Sequence, residues 1–361
     1  MKVKAFADVY RGRRALISGH TGFKGSWLAL WLGELGADVT GISLPPESQP
    51  NHWDLMQLTV DEHRLDVRDA QAVRHAFSAA KPEIVFHLAA QPLVRKSYRE
   101  PLETWSTNVM GTANVLEACR QTPSVRAIVI ITTDKCYLNR EWAWGYRESD
   151  HLGGHDPYSA SKAGAELVAA SYRSAFFNKE GAPLLATARA GNVIGGGDWS
   201  EDRLIPDLVR AVMKGQSLEI RSPLATRPWQ HVLESLSGYL LVGQRLLQAD
   251  NNCADAWNFG PEPEGNRTVS EVLGKLNAHW SSLRWHLTDM PQPHETTLLY
   301  LDSAKARSKL RWQPVWDFET SLKKTAAWYR NWLEGGAATT RQQLVEYLTD
   351  AKQANVEWAS N

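Results

Sequence analysis

Apolar and polar positions fall in alternating blocks along the first half of the chain, and the spacing within each block differs. Arg14-Ala15-Leu16-Ile17-Ser18 is a short apolar run, a glycine-bearing turn follows, and Ser26 to Leu35 carries apolar residues at helical spacing up to Gly36. This reads as strand, turn and helix. The alternation continues with strands expected at Asp38 to Leu44, Arg64 to Val67, Glu83 to Ala89, Arg126 to Thr133 and Leu184 to Ala190. Helices are expected over Ala70 to Ala80, Pro101 to Cys119 and Pro157 to Phe177. Strands that are apolar on both sides must be covered on both faces, so the pattern predicts an α/β fold with a doubly wound parallel sheet of the Rossmann type.

The texture changes near Gly191, where Pro, Gly and Trp become frequent and the elements shorten. Helical spacing returns at Arg203 to Lys214, Val232 to Leu247, Val269 to His279, Ser303 to Leu310 and Phe318 to Leu333. The Thr/Gln/Ala-rich tail from Gly335 predicts only a weakly packed helix. A chain of 361 residues exceeds the size at which single cores stop growing. The expected organisation is a dinucleotide-binding domain over 1–190 and a smaller, mixed C-terminal lobe over 191–361 that binds substrate and sends some segments back to the first domain.

Composition narrows the function. With 40 basic and 40 acidic residues there is no net charge to draw in nucleic acid or an anionic membrane, so an anionic ligand must be held by local groups. Cys119, Cys136 and Cys253 are widely spaced without a CxxC pair, which speaks against a disulfide framework or a zinc knuckle. No His, Cys and carboxylate cluster has chelating spacing, and no metal is expected. The N-terminal residues lack a signal-peptide core and no run approaches the roughly 20 apolar residues of a membrane span, so a cytoplasmic protein is expected.

Candidate chemistry sits at the strand ends. In Gly19-His20-Thr21-Gly22-Phe23-Lys24-Gly25 the first glycine permits a tight exit from the strand, the second lets backbone amides approach a pyrophosphate, and the third lets helix and strand pack closely. The acidic residue that usually follows at the end of the second strand is missing; Ser43 is the nearest polar candidate there. Asp66 either reaches an adenine or serves as a turn or cap residue. Tyr158 and Lys162 stand four residues apart near the start of a helix and so share a face. A lysine ammonium there is expected to lower the tyrosine pKa toward that of a base. Thr132-Thr133-Asp134-Lys135-Cys136-Tyr137 gathers hydroxyl, carboxylate, amine, thiol and phenol just past a buried strand. Cys136 reads as packing, and Tyr137 as either core or a contact behind the site. His87 is either structural or a substrate contact.

The glycine turn, His87-Leu88-Ala89-Ala90-Gln91, Thr132-Thr133-Asp134, Tyr158 to Lys162 and Ala188 to Trp199 together resemble the extended short-chain dehydrogenase/reductase family, over about residues 10 to 333. The resemblance implies a Rossmann domain that holds NAD and a small lobe that binds a nucleoside-diphosphate sugar. By the same resemblance the NAD site comprises Gly19, Thr21, Gly22, Phe23, Lys24, Gly25, Ser43, Asp66, Val67, Leu88, Ala89, Ala90, Asn108, Tyr158 and Lys162. The substrate site is expected to draw on His87, Gln91, Asn192, Arg203, Arg221, Arg227 and His231, the arginines being suited to pyrophosphate oxygens.

In the sugar-nucleotide dehydratases of that family the strand end reads threonine, aspartate, glutamate. Carried over, Thr133 positions the sugar hydroxyl, Asp134 protonates the departing water, and Lys135 stands where the carbon-proton base is found. A lysine base must be neutral, so its pKa must fall well below about 10.4; alternatively Lys135 simply pairs with a carboxylate. A nucleotide-sugar 4-epimerase would need no such acid and base, and a dinucleotide-sensing regulatory protein would need neither Tyr158 nor Lys162. A homodimer or homotetramer is expected, with the 101–119 and 157–177 helices as interface candidates.

Overall fold

The computed structural model describes residues 4–288 and 298–360. Its centre is a seven-stranded sheet of β1 (Arg14–Ser18), β2 (Asp38–Ser43), β3 (Asp61–Arg64), β4 (Ile84–His87), β5 (Ala127–Ile131), β6 (Leu184–Ala190) and β7 (Ala256–Phe259). The strands lie in the order β7-β6-β5-β4-β1-β2-β3 and every pairing is parallel. Strand order reverses between β1 and β4, which opens a crevice at the carboxyl ends, where such sheets bind ligands.

Two departures from the pattern reading have plain causes. β3 begins three residues before the expected Arg64, because its sequence, Asp-Glu-His-Arg, is entirely polar. It is an edge strand, where charge blocks further pairing and apolar spacing is silent. β7 was not expected; its four residues, Ala-Trp-Asn-Phe, are all buried but too few to show a period.

Helices cover both faces. On one side α1 (Phe23–Glu34) packs with the long helix Val232–Leu247, and Leu28, Leu236 and Leu240 meet Phe86 and Val129. On the other side α2 (Ala70–Ala80) and the helices Gly111–Gln121 and Pro157–Ala175 enclose Ile128, Ile130, Val85 and Val115. Successive residues of β5 thus serve opposite cores, as a pleated strand requires. In chain order we label Pro101–Trp105 α3, Gly111–Gln121 α4, Pro157–Ala175 α5, Leu204–Met213 α6, Val232–Leu247 α7, Val269–His279 α8, Phe318–Gly335 α9 and Thr340–Gln353 α10. α3 and α4 form the expected 101–119 segment, joined by a π turn at Ser106–Met110. α6, α8 and α9 build a separate cluster around Trp199, Trp229, Trp280 and Trp328, and this cluster walls the crevice. Among the described residues no helix is long and apolar enough to cross a membrane.

The tail is more deeply packed than its composition suggested. Leu344, Tyr347, Leu348 and Trp358 are buried. Trp358 stacks on Phe6 at 4.8 Å and meets Trp31 of α1 edge-on at 5.8 Å. Four aromatics drawn from three distant segments leave no local period, which is why the expectation of weak packing fails.

α7 carries a buried carboxyl into this junction. Glu234 accepts hydrogen bonds from the Val315 and Trp316 amides and from the Tyr347 hydroxyl. Burial pushes its pKa up from 4.5 to about 7, against those hydrogen bonds. A pKa raised on folding gives a contribution complete below the unfolded value and lost as pH rises through the folded one. Glu234→Gln, which stays neutral, is therefore expected to gain stability over the parent between about pH 5 and about pH 8, by up to about 3 kcal/mol. Urea unfolding at both pH values checks this; a difference that does not change with pH overturns it.

Candidate active site

A cleft of about 1690 Å³ lies along the carboxyl ends of the strands, between the sheet and the smaller lobe. Pockets for single small molecules run to about 1,000 Å³, so this one has room for two ligands side by side.

One half is built by the glycine turn between β1 and α1. A Cβ at Gly19, whose φ is +77°, would lie 2.7 Å from the Ala89 amide nitrogen, and one at Gly25 would lie 2.1 Å from the Gly19 carbonyl oxygen. These two glycines hold the turn against β4 and α1. At Gly22 a Cβ would meet only the Gly19 carbonyl oxygen, at 3.4 Å, so the space above it is left to a ligand. Thr21, Phe23, Lys24, Ser43, Asp66, Val67, Leu88, Ala89 and Ala90 also line the cleft. The cradle at the start of α1 therefore fits a dinucleotide. Ser43 shares a 2.6 Å hydrogen bond with Thr21. Asp66 spends its carboxylate on the backbone and guanidinium of Arg68, which favours the turn role over an adenine contact.

Several expected contacts do not reach the cleft. Asn108 is buried in the π turn, where it accepts from the Gln91 amide at 2.8 Å and donates to the Gln91 carbonyl and the Ser161 hydroxyl. It braces the cofactor side from behind. Gln91 lines the cleft, but its side-chain amide is used by Leu93 and Thr104. His87 is 2% exposed and bonded to Ser18 at 2.6 Å and Thr112 at 3.1 Å, so it joins β1 to α4 and is structural. His231 is wholly buried against Trp27 and Trp316 and caps α7, accepting from the Leu233 amide. Arg221 is exposed outside the cleft. Asn192, Arg203 and Arg227 do line it, and Arg203 donates to Asp198 at 2.9 Å.

The other half is the end of β5. The chain leaves the strand at Ile131, and a single 3-10 turn, Asp134–Cys136, starts under the Thr133 cap. Thr133 donates to Asp134 Oδ1 at 2.9 Å and accepts from the Lys135 amide at 3.3 Å. Thr133, Asp134, Lys135, Tyr158 and Lys162 all line the cleft. α5 presents the last two because Pro157 occupies its first turn and Asp156 caps the Ser159 amide, which fixes where the helix begins. Cys136 is fully buried and serves as packing, and Tyr137 is core.

Burial sets the proton affinities here. It raises the Asp134 carboxyl, against the pull of Lys135 and the Thr133 hydrogen bond, so the group is biased toward its acid form. It lowers the Lys162 ammonium to about 8, with Glu166 opposing. It pushes the Tyr158 phenol up to about 12, with the Thr133 hydroxyl opposing. The expected lowering of Tyr158 by Lys162 is thus not seen: desolvation of the phenolate dominates, and Lys162 itself donates to the Ile131 carbonyl at 3.3 Å. A Cβ on Gly191 would sit 2.9 Å from Asp134 Oδ2, so this glycine makes room for the acid as well as for a ligand.

Lys24 was read only as part of the glycine turn. Its ammonium donates to the Tyr239 hydroxyl at 3.2 Å. Burial and the nearby Arg203 lower its pKa to about 7, with Asp134 opposing. A charged residue inside a glycine turn was the available signal, but its target on α7 lies more than 200 positions away and leaves no local trace.

A glycine-turn Rossmann half, a YxxxK helix and a smaller lobe over the same cleft define an extended short-chain dehydrogenase/reductase. The chain belongs to the GDP-mannose 4,6 dehydratase family, whose sequence model matches residues 16–325. It is 48% identical to the CDP-glucose 4,6-dehydratase of Salmonella typhimurium over 95% of this chain and 98% of that one. It is 25% identical to the dTDP-glucose 4,6-dehydratase of Shigella flexneri over 81% of this chain and 85% of that one. Among solved structures it resembles the epimerase Mth375 of Methanothermobacter thermautotrophicus, with a TM-score of 0.80 and 23% identity over 93% and 96% of the two chains. It also resembles the dTDP-glucose 4,6-dehydratase of Bacillus anthracis in complex with NAD, with a TM-score of 0.71 and 20% identity over 89% and 97%. At those identities the likeness is one of fold.

The Lys24 environment gives a direct test. Magnetic resonance of isotope-labelled lysine side chains is expected to show a group titrating near 7 that vanishes in Lys24→Met. A Lys24 resonance that titrates above about 9 would mean that the site is wetter than its packing indicates.

Proposed function

We propose that this chain dehydrates CDP-D-glucose to CDP-4-dehydro-6-deoxy-D-glucose, supplying deoxysugars for surface polysaccharide such as O-antigen. The reading is supported by 48% identity across nearly the whole length of a CDP-glucose 4,6-dehydratase. The observation that carries the chemistry is Asp134 and Lys135 side by side on the turn after β5, in one cleft with Tyr158 and Lys162. The division of labour is NAD on residues 1–190 and nucleotide sugar mainly on 191–361.

NAD, when bound, supplies a hydride acceptor that later returns the hydride, and a positive ring that favours the Tyr158 phenolate. Tyr158 takes the proton of the C4 hydroxyl, which Thr133 orients, while Lys162 holds positive charge below the phenol. The C4 ketone so formed acidifies the C5 hydrogen. Lys135, as a neutral amine, removes that proton, and Asp134, whose carboxyl pKa is raised by burial, protonates the C6 hydroxyl as it leaves as water. Lys135 then returns the proton to C5 as C6 is reduced. Asn192, Arg203 and Arg227 hold the diphosphate. An epimerase needs the Tyr–Lys pair alone, so the Asp134–Lys135 pair is what separates the two readings.

Incubation with NAD and CDP-, dTDP-, UDP- or GDP-glucose is expected to give a 4-keto-6-deoxy product from the cytidine nucleotide only. A product inverted at C4 with C6 intact overturns the reading. Lys135→Ala is expected to lower turnover and solvent-deuterium uptake at C5 together, by about 100- to 10,000-fold. Wild-type exchange in that variant would remove Lys135 from the role of base.

For assembly we favour a homodimer, alone or as half of a homotetramer, formed by α3, α4 and α5. The motivation is a stripe of exposed apolar side chains on these helices and the intervening turn: Leu102 at 82%, Leu167 at 61% and Met110 at 55% exposure. Sedimentation of the full chain is expected to give a dimer or larger. The double variant Leu102→Glu, Leu167→Glu is expected to sediment as a monomer, and one that keeps the parent's mass places the interface elsewhere.

A further inference from the structure

Two charged side chains that line no part of the cleft stand directly behind its proton-transfer turn. Glu166 on α5 and Arg189 on β6 form an ion pair at 2.8 Å with side chains only 3% and 4% exposed. Glu166 lies one helical turn beyond Lys162 on α5.

Every polar atom of the pair is used. Glu166 Oε1 accepts from the Thr132 hydroxyl at 2.5 Å and from Arg189 Nε at 2.8 Å. Oε2 accepts from the Thr187 hydroxyl and from Arg189 Nη2, both at 2.8 Å. Arg189 Nη1 donates to the Tyr137 hydroxyl at 2.6 Å and to the Glu148 carbonyl at 3.3 Å. Tyr137 in turn donates to Asn258 Oδ1 at 2.8 Å, and the guanidinium lies over the Tyr137 ring, 5.0 Å from its centroid.

Thr132 and Tyr137 are the two ends of the segment whose interior holds Thr133, Asp134 and Lys135. A single 3-10 turn has too few backbone hydrogen bonds to fix its own tilt. The pair fixes it from both ends and ties it to the helix that bears Tyr158 and Lys162. A buried ion pair is a poor way to gain stability compared with apolar packing of the same volume. Its geometric effect is large, because reacting groups displaced by about 1 Å can lose about 100-fold in rate.

We propose that the Glu166–Arg189 pair is the positioning element of the proton-transfer turn, gripping Thr132 and Tyr137 so that Asp134 and Lys135 face the sugar held by the Tyr158–Lys162 helix. This rests on the dehydratase reading above. Neither residue touches the substrate; each acts through the turn. Loosening the Tyr137 end disturbs Asp134 and Lys135, which carry the elimination, more than Tyr158 and Lys162, which carry the C4 oxidation. The two half-reactions should then come apart, with reduced cofactor building up because oxidation outruns water loss.

The test compares two isosteric variants of the full chain, each of which deletes one hydroxyl from the network. Tyr137→Phe loses the bond on the turn side. Thr187→Val loses a bond to the same Glu166 carboxylate on the side away from the turn. With NAD and CDP-glucose, Tyr137→Phe is expected to lose about tenfold in kcat with KM within about twofold of the parent. It should also show near-ultraviolet absorbance of reduced cofactor that persists through turnover. Thr187→Val is expected to keep the parent's kcat and show no such build-up, even where its melting temperature falls as far. Equal kinetics in Tyr137→Phe and the parent, or kcat losses in both variants that simply follow melting temperature, overturn the proposal. If the parent itself dehydrates no nucleotide-glucose, the functional reading fails and takes this proposal with it. If the parent dehydrates and Tyr137→Phe does so without build-up, the positioning role alone falls.

Discussion

Burial of the ionisable groups at the carboxyl end of the parallel sheet is the constraint on which the site depends. One cause moves four groups in different directions: it raises Asp134 and Tyr158 and lowers Lys162 and Lys24. Burial disfavours the charged form, so the carboxyl and the phenol hold their protons more tightly and the ammonium groups release theirs more readily. Opposite charges at short range then keep individual groups from losing their charge altogether, as Glu166 does for Lys162.

That burial requires backbones to approach more closely than side chains allow, and glycine supplies the approach. Gly19 against Ala89 and Gly25 against Gly19 close the cofactor turn, and Gly191 leaves space for the Asp134 carboxyl. The two halves of the cleft are thus sealed by the same device at different points in the chain. The smaller lobe completes the wall, and its Arg203 and Arg227 act electrostatically on Tyr158 and Asp134.

Much of this was legible in the sequence where the signal is local. The strand–turn–helix unit at residues 14–34, the Tyr158–Lys162 spacing and the α7 and α8 boundaries follow from periods of two and 3.6 residues and from helix-start chemistry. What was not legible depends on partners far along the chain. His87 and His231 read as polar candidates, yet one bonds to Ser18 and Thr112 and the other packs between Trp27 and Trp316. Asn108 was expected at the cofactor only through the family resemblance, and the π turn directs it to Gln91 and Ser161 instead. The polar edge strand β3 and the short buried β7 lack the hydrophobic contrast that a period search needs.

The packing of the tail bears on how the chain reaches this structure. Trp358 completes the cluster around Phe6 and Trp31, while α7 and β7, both encoded after residue 190, cover one face and one edge of the sheet. The seven-stranded sheet therefore has no complete cover until the residues up to Trp358 have been made. Contacts of such long sequence separation make folding slow and favour one late, concerted event over stepwise maturation of two domains. During synthesis the N-terminal strands wait with apolar faces uncovered, and the charges of Asp61, Glu62 and Arg64 on the edge strand guard the nascent sheet against pairing with another chain.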